Sequence, residues 1–184
     1  MTAEKKIDVA IVPGAFKPPH KGHLEMVEKY AKQAKEVIVY ISPTGRTDPD
    51  GLETTVEIAE KLWEWYLIAA ALDNVHVIRV AASPVGATYD YLAEAETGQN
   101  IVLGVSGKGD DKKRYKDASK YVKQGVQVMI DCWVEATVDE DGTPLSGTRM
   151  RYAIGTKDEK ELLRHLPDGM KASVSRVLGL WGME

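Results

Sequence analysis

A single cysteine, Cys132, has no second thiol to pair with, which excludes a disulfide scaffold and points to a reducing compartment. No apolar run approaches the ~20 residues of a membrane span. Residues 1–6 also lack the apolar stretch and small-residue cleavage site of a secretion signal. Neither sign of charge is in excess: 24 Lys+Arg stand against 28 Asp+Glu, for a formal net charge of -4. So balanced a chain offers no global field to nucleic acid or to an anionic membrane, and any anion it binds must be held locally. Internal repeats, low-complexity tracts and linkers are absent too. What is left is a cytoplasmic globular protein, and 184 residues with 43% hydrophobic content predict one domain with a substantial core.

What is present alternates. Residues 7–12 (IDVAIV) are continuously apolar and end at Pro13 and Gly14, the pattern of a strand buried on both faces of a parallel sheet. A helix is expected over 24–34, delayed by Pro18 and Pro19. Strands at 37–41, 75–80, 101–105 and 126–130 alternate with helices at 54–72, 83–96 and 111–122, and a polar loop spans 42–51. This order predicts an α/β fold, a Rossmann-like, doubly wound, mainly five-stranded parallel sheet with ligands beyond the strands' carboxyl ends. Residues 133–138 read as an edge strand or arm and 139–142 as a turn. A capping box at Thr156 and Glu159 and a last helix over 172–181 form a helical extension, so the division is 1–155 for the α/β domain and 156–184 for its extension.

Three segments carry chemistry. The first joins the first strand to the first helix and holds Gly14, Ala15, Phe16, Lys17, His20, Lys21, Gly22 and His23. Unpaired N–H groups and the macrodipole at a helix amino end attract anions, and glycines let backbone approach a phosphate. The dipole favours neutral imidazoles until a polyanion binds. A His pair three apart could also hold zinc, but no third ligand stands at zincin spacing. The second segment is Ser146, Gly147, Thr148, Arg149, Met150 and Arg151; Ser146 and Thr148 are N-cap types, and two arginines in a first turn suit an anion. The third runs from Gly104 to Asp111. It is neither a P-loop nor GxGxxG, but it offers Lys108 to phosphate and Asp110 or Asp111 to ribose or metal.

Together the first two segments resemble the HxGH nucleotidylyltransferase superfamily, FKPPHKGH matching its first signature and LSGTRMR its ISxTxxR motif. Over residues 7–154 the chain is similar to nicotinamide-mononucleotide and phosphopantetheine adenylyltransferases and to nucleotidyltransferases of bacteriophage genomes, which would place it in a host cytoplasm. The resemblance implies that Gly14, Ala15 and Phe16 offer backbone to the nucleotide. It assigns the triphosphate and transition-state charge to His20 and His23, and the β- and γ-phosphates to Ser146, Thr148 and Arg151. Arg149 stands at a variable motif position, and Lys17 replaces the Asp or Gln of many relatives, which suits an acceptor phosphate. The implied reaction moves the NMP part of ATP, or alternatively of CTP, onto a phosphorylated small molecule with release of pyrophosphate. Mg2+ would accompany the nucleoside triphosphate, and self-association into a homo-oligomer is compatible with the family. The different-class alternative is a nucleotide sensor that binds without catalysis. The acceptor is unnamed, with residues 42–51, Trp63, Trp65 and 84–91 as candidate lining.

Overall fold

The computed structural model describes residues 4–107, 110–133 and 140–183. They form two compact units, the first from the described residues of 1–14, 26–43 and 74–135, the second from those of 15–25, 44–73 and 136–184.

The first unit holds five parallel strands, β1 (Ile7–Gly14), β2 (Ala34–Ile41), β5 (Val75–Arg79), β6 (Asn100–Ser106) and β7 (Gln127–Trp133), in the order β5-β2-β1-β6-β7. The period-2 side-chain alternation sorts β1 into two apolar faces. Val9 and Ile11 join Ile38, Tyr40, Ile101, Leu103 and Val105 in one buried cluster, with Leu92 of α3 (Pro84–Glu94). Ala10 and Val12, with Val37, Val39 and Ile41, are buried on the other face. Register keeps these sets together, since Ile11 lies opposite both Ile38 and Leu103. On the second face Gly104 is required by close approach: a Cβ there would meet the Tyr30 ring at 2.4 Å. Tyr30 is buried on α1 (Lys21–Gln33), and its hydroxyl donates to Asp131 at 2.7 Å.

The second unit contains a two-strand antiparallel ladder, β3 (Arg46–Thr47) with β4 (Glu53–Thr54), turning at Gly51 with φ +87°. It also contains α2 (Val56–Ala69), α5 (Gly147–Thr156), α6 (Glu159–His165) and α7 (Val174–Gly179). Thr55 caps α2 by accepting from the Ile58 N–H at 3.2 Å.

Several elements differ from the sequence expectations. The first helix starts at Lys21, three residues early, because His20 caps it in the way described below. The loop 42–51 contains β3. The helix expected over 111–122 is instead α4 (Asp111–Arg114) followed by a 3-10 turn at Ala118–Lys120. The backbone there makes i to i−3 bonds, and exposed acid-base pairs at the same spacing, Lys113 with Asp110 and Lys120 with Asp117, lie over the turns. Thr156 does not cap the following helix: its hydroxyl donates back to the Tyr152 carbonyl at 2.8 Å inside α5. Lys157, at φ +54°, ends α5, and Asp158 caps α6 by accepting from the Glu161 N–H at 3.0 Å. The last helix is shorter than 172–181, being preceded by the 3-10 segment Asp168–Ser173. The expected arm at 133–138 lies outside the described residues except for the backbone of residue 133.

Candidate functional site

The first segment leaves β1 and enters α1 through His20, whose carbonyl accepts the first helical bond from Leu24 at 3.2 Å. That makes His20 the N-cap and His23 the third residue of the helix. Their side chains complete a reciprocal cap. The His20 Nδ1 accepts from the Gly22 N–H at 3.0 Å, and the His23 Nδ1 accepts from the His20 N–H at 3.1 Å. A ring that accepts at Nδ1 carries its neutral-form proton on Nε2, so the cap fixes one tautomer in both residues. The rings stack at 3.8 Å with 26° between planes, and His20 is buried.

Below them lie aromatics. Phe16, at φ +51°, is a strained backbone position whose ring meets His23 edge-on at 4.9 Å and Trp63 at 5.3 Å. Tyr66 is fully buried, which pushes its pKa up, and its hydroxyl donates to the Pro19 carbonyl at 3.1 Å. Trp63 is therefore core under the first segment, and its Nε1 is a buried side-chain nitrogen without a hydrogen-bond partner. Lys17 is buried with its Nζ donating to the Ala15 carbonyl at 2.7 Å.

The second segment opens α5. Ser146 is its N-cap, accepting from the Arg149 N–H at 3.1 Å. Arg151 is 5% exposed and binds three residues: Nη1 donates to the Lys17 carbonyl at 2.8 Å, Nε donates to both Asp48 oxygens at 3.1 and 2.8 Å, and Nη2 donates to the Thr148 hydroxyl at 3.2 Å. Burial, then the nearby Arg46, lowers the Arg151 pKa, and Asp48 opposes them. A Cβ on Gly147 would stand 3.2 Å from Arg151 Nη1 and 3.7 Å from that same Lys17 carbonyl, so a glycine here leaves room for the bond between the two segments. Arg149 is held by Glu161, at 2.9 Å from Nε and 2.6 Å from Nη2, and by the Pro144 carbonyl at 2.8 Å.

Thus Ala15, Phe16, Lys17, His20, Gly22, His23, Ser146, Thr148, Arg149 and Arg151 belong to one compact unit. Gly14, Gly104, Asp110 and Asp111 belong to the other, where Asp110 pairs with Lys113 and Asp111 with Arg114. Lys108 lies outside the described residues. Among the described residues no group of three or more His, Cys, Asp or Glu is placed to hold a metal ion, and no helix is long and apolar enough to cross a membrane. Sequence reasoning missed Asp48, Glu161 and His165. Asp48 sits in the 42–51 loop that was a candidate acceptor segment, whereas His165, a lone His between Arg164 and Leu166, carried no signal. Within the second unit a cleft of about 520 Å3 is lined by Asp50, Leu52, Ile58, Gly155, Leu180 and Trp181. In the first unit, Tyr91 of the 84–91 segment lines another of about 560 Å3.

The cytidylyltransferase-like family matches residues 11–153. A bifunctional NMN adenylyltransferase/ADP ribose pyrophosphatase from Francisella tularensis, solved with AMP and a Mn ion, shares the fold at TM-score 0.61 and 13% identity, over 94% of this chain and 49% of that one. The Plasmodium falciparum nicotinic acid mononucleotide adenylyltransferase complexed with APC does so at TM-score 0.52 and 9% identity, over 97% and 100%. Thermotoga maritima TmcAL bound with alpha-thio ATP gives TM-score 0.53 and 12% identity, over 94% and 56%. The chain thus spans about half the length of the Francisella protein.

Proposed function

We propose, because this chain belongs to the cytidylyltransferase-like family, that it is a nucleotidyltransferase moving the NMP part of a nucleoside triphosphate onto a phosphate-bearing small molecule. The observation that carries the reading is the junction of the two segments in one unit: the α1 and α5 amino ends and the stacked histidine pair belong to it together, and Arg151 of the second segment donates to the Lys17 carbonyl of the first. Such an array of N–H donors and cations suits a polyphosphate. ATP is the favoured donor, in keeping with the AMP and alpha-thio ATP of two similar structures, and CTP is the alternative.

The reaction is an in-line displacement. An acceptor phosphate oxygen bonds to the α-phosphorus, the bond from that phosphorus to the bridging oxygen of the β-phosphate breaks, and pyrophosphate leaves with the electron pair. A phosphate oxygen is already nucleophilic, so positioning and electrostatic stabilisation carry the rate. His20 and His23 donate through Nε2 to charge on the transferring group. The amino end of α5, with Ser146, Thr148 and Arg151, holds the β- and γ-phosphates, and Lys17 takes the acceptor phosphate. The carboxylates described around these residues, Asp48 and Glu161, are bound by Arg151 and Arg149, so the donor set fits a magnesium ion that arrives on the nucleotide and keeps its waters rather than a protein cage. When bound, that ion neutralises phosphate charge.

The test pairs binding with turnover. Wild type and the His20→Ala/His23→Ala variant are heated with ATP, CTP, GTP or UTP and magnesium, near 100 times Kd, where binding adds about 2.7 kcal/mol. A His-dependent, selective rise in Tm is expected, followed by pyrophosphate release in an acceptor screen, with His23→Ala slowing turnover at least ~100-fold. Turnover within threefold of wild type removes His23 from the chemistry. Binding without pyrophosphate release across the screen identifies a sensor instead.

A further inference from the structure

His165 is fully buried on α6, beyond the residues matched by the family, and nothing in the proposed reaction uses it. A buried imidazole needs partners for both nitrogens, and here they lie on different helices. The Nδ1–H donates to the Glu161 carbonyl at 3.0 Å, which makes Nε2 the acceptor, and Nε2 receives the Ser146 N–H at 3.4 Å. Its tautomer is therefore opposite to that of His20 and His23. Ser146 is the α5 N-cap, so fixing its amide also fixes the hydroxyl that accepts from Arg149. One turn earlier on α6, Glu161 grips the Arg149 side chain. Two side chains of one short helix thus hold backbone and side chain of the α5 amino end. The same imidazole meets His20 edge-on, at 6.2 Å and 78°, and His20 stacks on His23.

We infer that His165 is a positioning residue for nucleotide binding: it sets the α5 amino end against the histidine pair, and α6 belongs to the active-site framework. The inference rests on the nucleotidyltransferase reading for the identity of the anion. An apolar core role would be met by any side chain of similar volume, whereas positioning requires an acceptor where Nε2 stands.

Three variants separate these. His165→Gln retains an oxygen near Nε2, His165→Asn retains only the donor near Nδ1, and His165→Leu retains neither. The KM for the nucleoside triphosphate is expected to rise about tenfold in the Leu and Asn variants, the scale of one lost hydrogen bond, with kcat changing less and Gln within about threefold of wild type. All three variants lose some stability, so Tm without ligand does not discriminate. Equal loss of affinity in Gln and Leu, or a Leu variant with wild-type KM, overturns the assignment. Imidazole 15N shifts of the wild-type chain give a readout independent of turnover. A proton on Nδ1 of His165 and on Nε2 of His20 and His23 is expected, and a proton on Nε2 of His165 overturns it. Should wild type release no pyrophosphate with any acceptor, the transferase reading fails, while the Gln–Leu contrast in the nucleotide-induced Tm rise still decides the role of His165. No nucleotide binding by wild type overturns both.

Discussion

His20 and His23 use their two nitrogens for two purposes. Each Nδ1 satisfies a backbone N–H at the start of α1, and that commitment leaves the neutral-ring proton on Nε2, the atom suited to donate to an oxyanion. On the proposed reading the same residues build the helix end and present its chemistry, and the three-residue spacing serves both, since N-cap and N3 are positions that can cap each other. Arg151 shows the complementary case, a cation held by geometry. Its guanidinium is buried against Asp48, and Arg46 reaches the same carboxylate, 3.6 Å from Oδ1. Asp48→Asn would leave Arg151 desolvated and facing a like charge. A loss of about 3 kcal/mol in unfolding free energy by urea titration is expected, the scale for breaking a buried ion pair from one side. A loss below about 1 kcal/mol would show that Thr148 and the Lys17 carbonyl suffice to hold Arg151. The residue types at this site were readable from the sequence; the partner of Arg151, 103 positions away, was not.

At the level of elements, strands were read better than helix ends. A buried parallel strand is a run of apolar residues bounded by Gly or Pro, a signal that sits inside the element itself. A helix end depends on which of several adjacent polar side chains wins the exposed N–H groups. Thr156 and Asp158 illustrate the competition: Thr156 can back-bond to Tyr152 once α5 extends to it, and the left-handed Lys157 then hands the capping position to Asp158. Asp158→Ala is expected to cost about 1 kcal/mol, and Thr156→Ala under about 0.5 kcal/mol, in thermal unfolding of the two variants side by side. The reverse order would return the cap to Thr156. In the 111–122 segment the backbone makes i to i−3 bonds in short turns that bury Tyr115 and Ala118, a choice that a polar stretch of sequence does not reveal.

Across the molecule, a net charge of -4 coexists with a local gathering of Lys17, Arg46, Arg149 and Arg151 in one unit. Long-range attraction is thereby avoided while a polyanion can still be held at close range. The sheet has its own electrostatic clip at the strands' amino ends. Asp8 of β1 accepts from the Asn100 N–H that opens β6 at 2.8 Å and pairs with Lys35 of β2 at 3.0 Å. The Asn100 N–H first, then Lys35, holds the Asp8 carboxyl below the usual carboxylate range. A lowered folded-state value means that the ionised form stabilises the fold above the unfolded value of about 3.9; this contribution disappears as pH falls through the folded-state value. Asp8→Asn is therefore expected to be less stable than wild type at pH 7, with the gap closing below pH ~4, as measured by urea unfolding across that range. A gap independent of pH would assign the effect to packing at Asp8 rather than to its charge.

Much of this protein follows from short stretches of chain taken one at a time. The five strands, the glycine-rich exits from β1 and β6, the His pair at one helix start and the Ser-Gly-Thr-Arg run at another are each local patterns, because backbone period, turn chemistry and capping act within a few residues. The joining of those stretches is a different matter. Lys17 with Arg151 across 134 positions, Asp48 with Arg151 across 103, and Ser146 with His165 across 19 are contacts that no local period encodes. They exist because burying the apolar faces of α2, α5 and α6 brings their polar ends to one place, and a buried donor must then take the nearest acceptor.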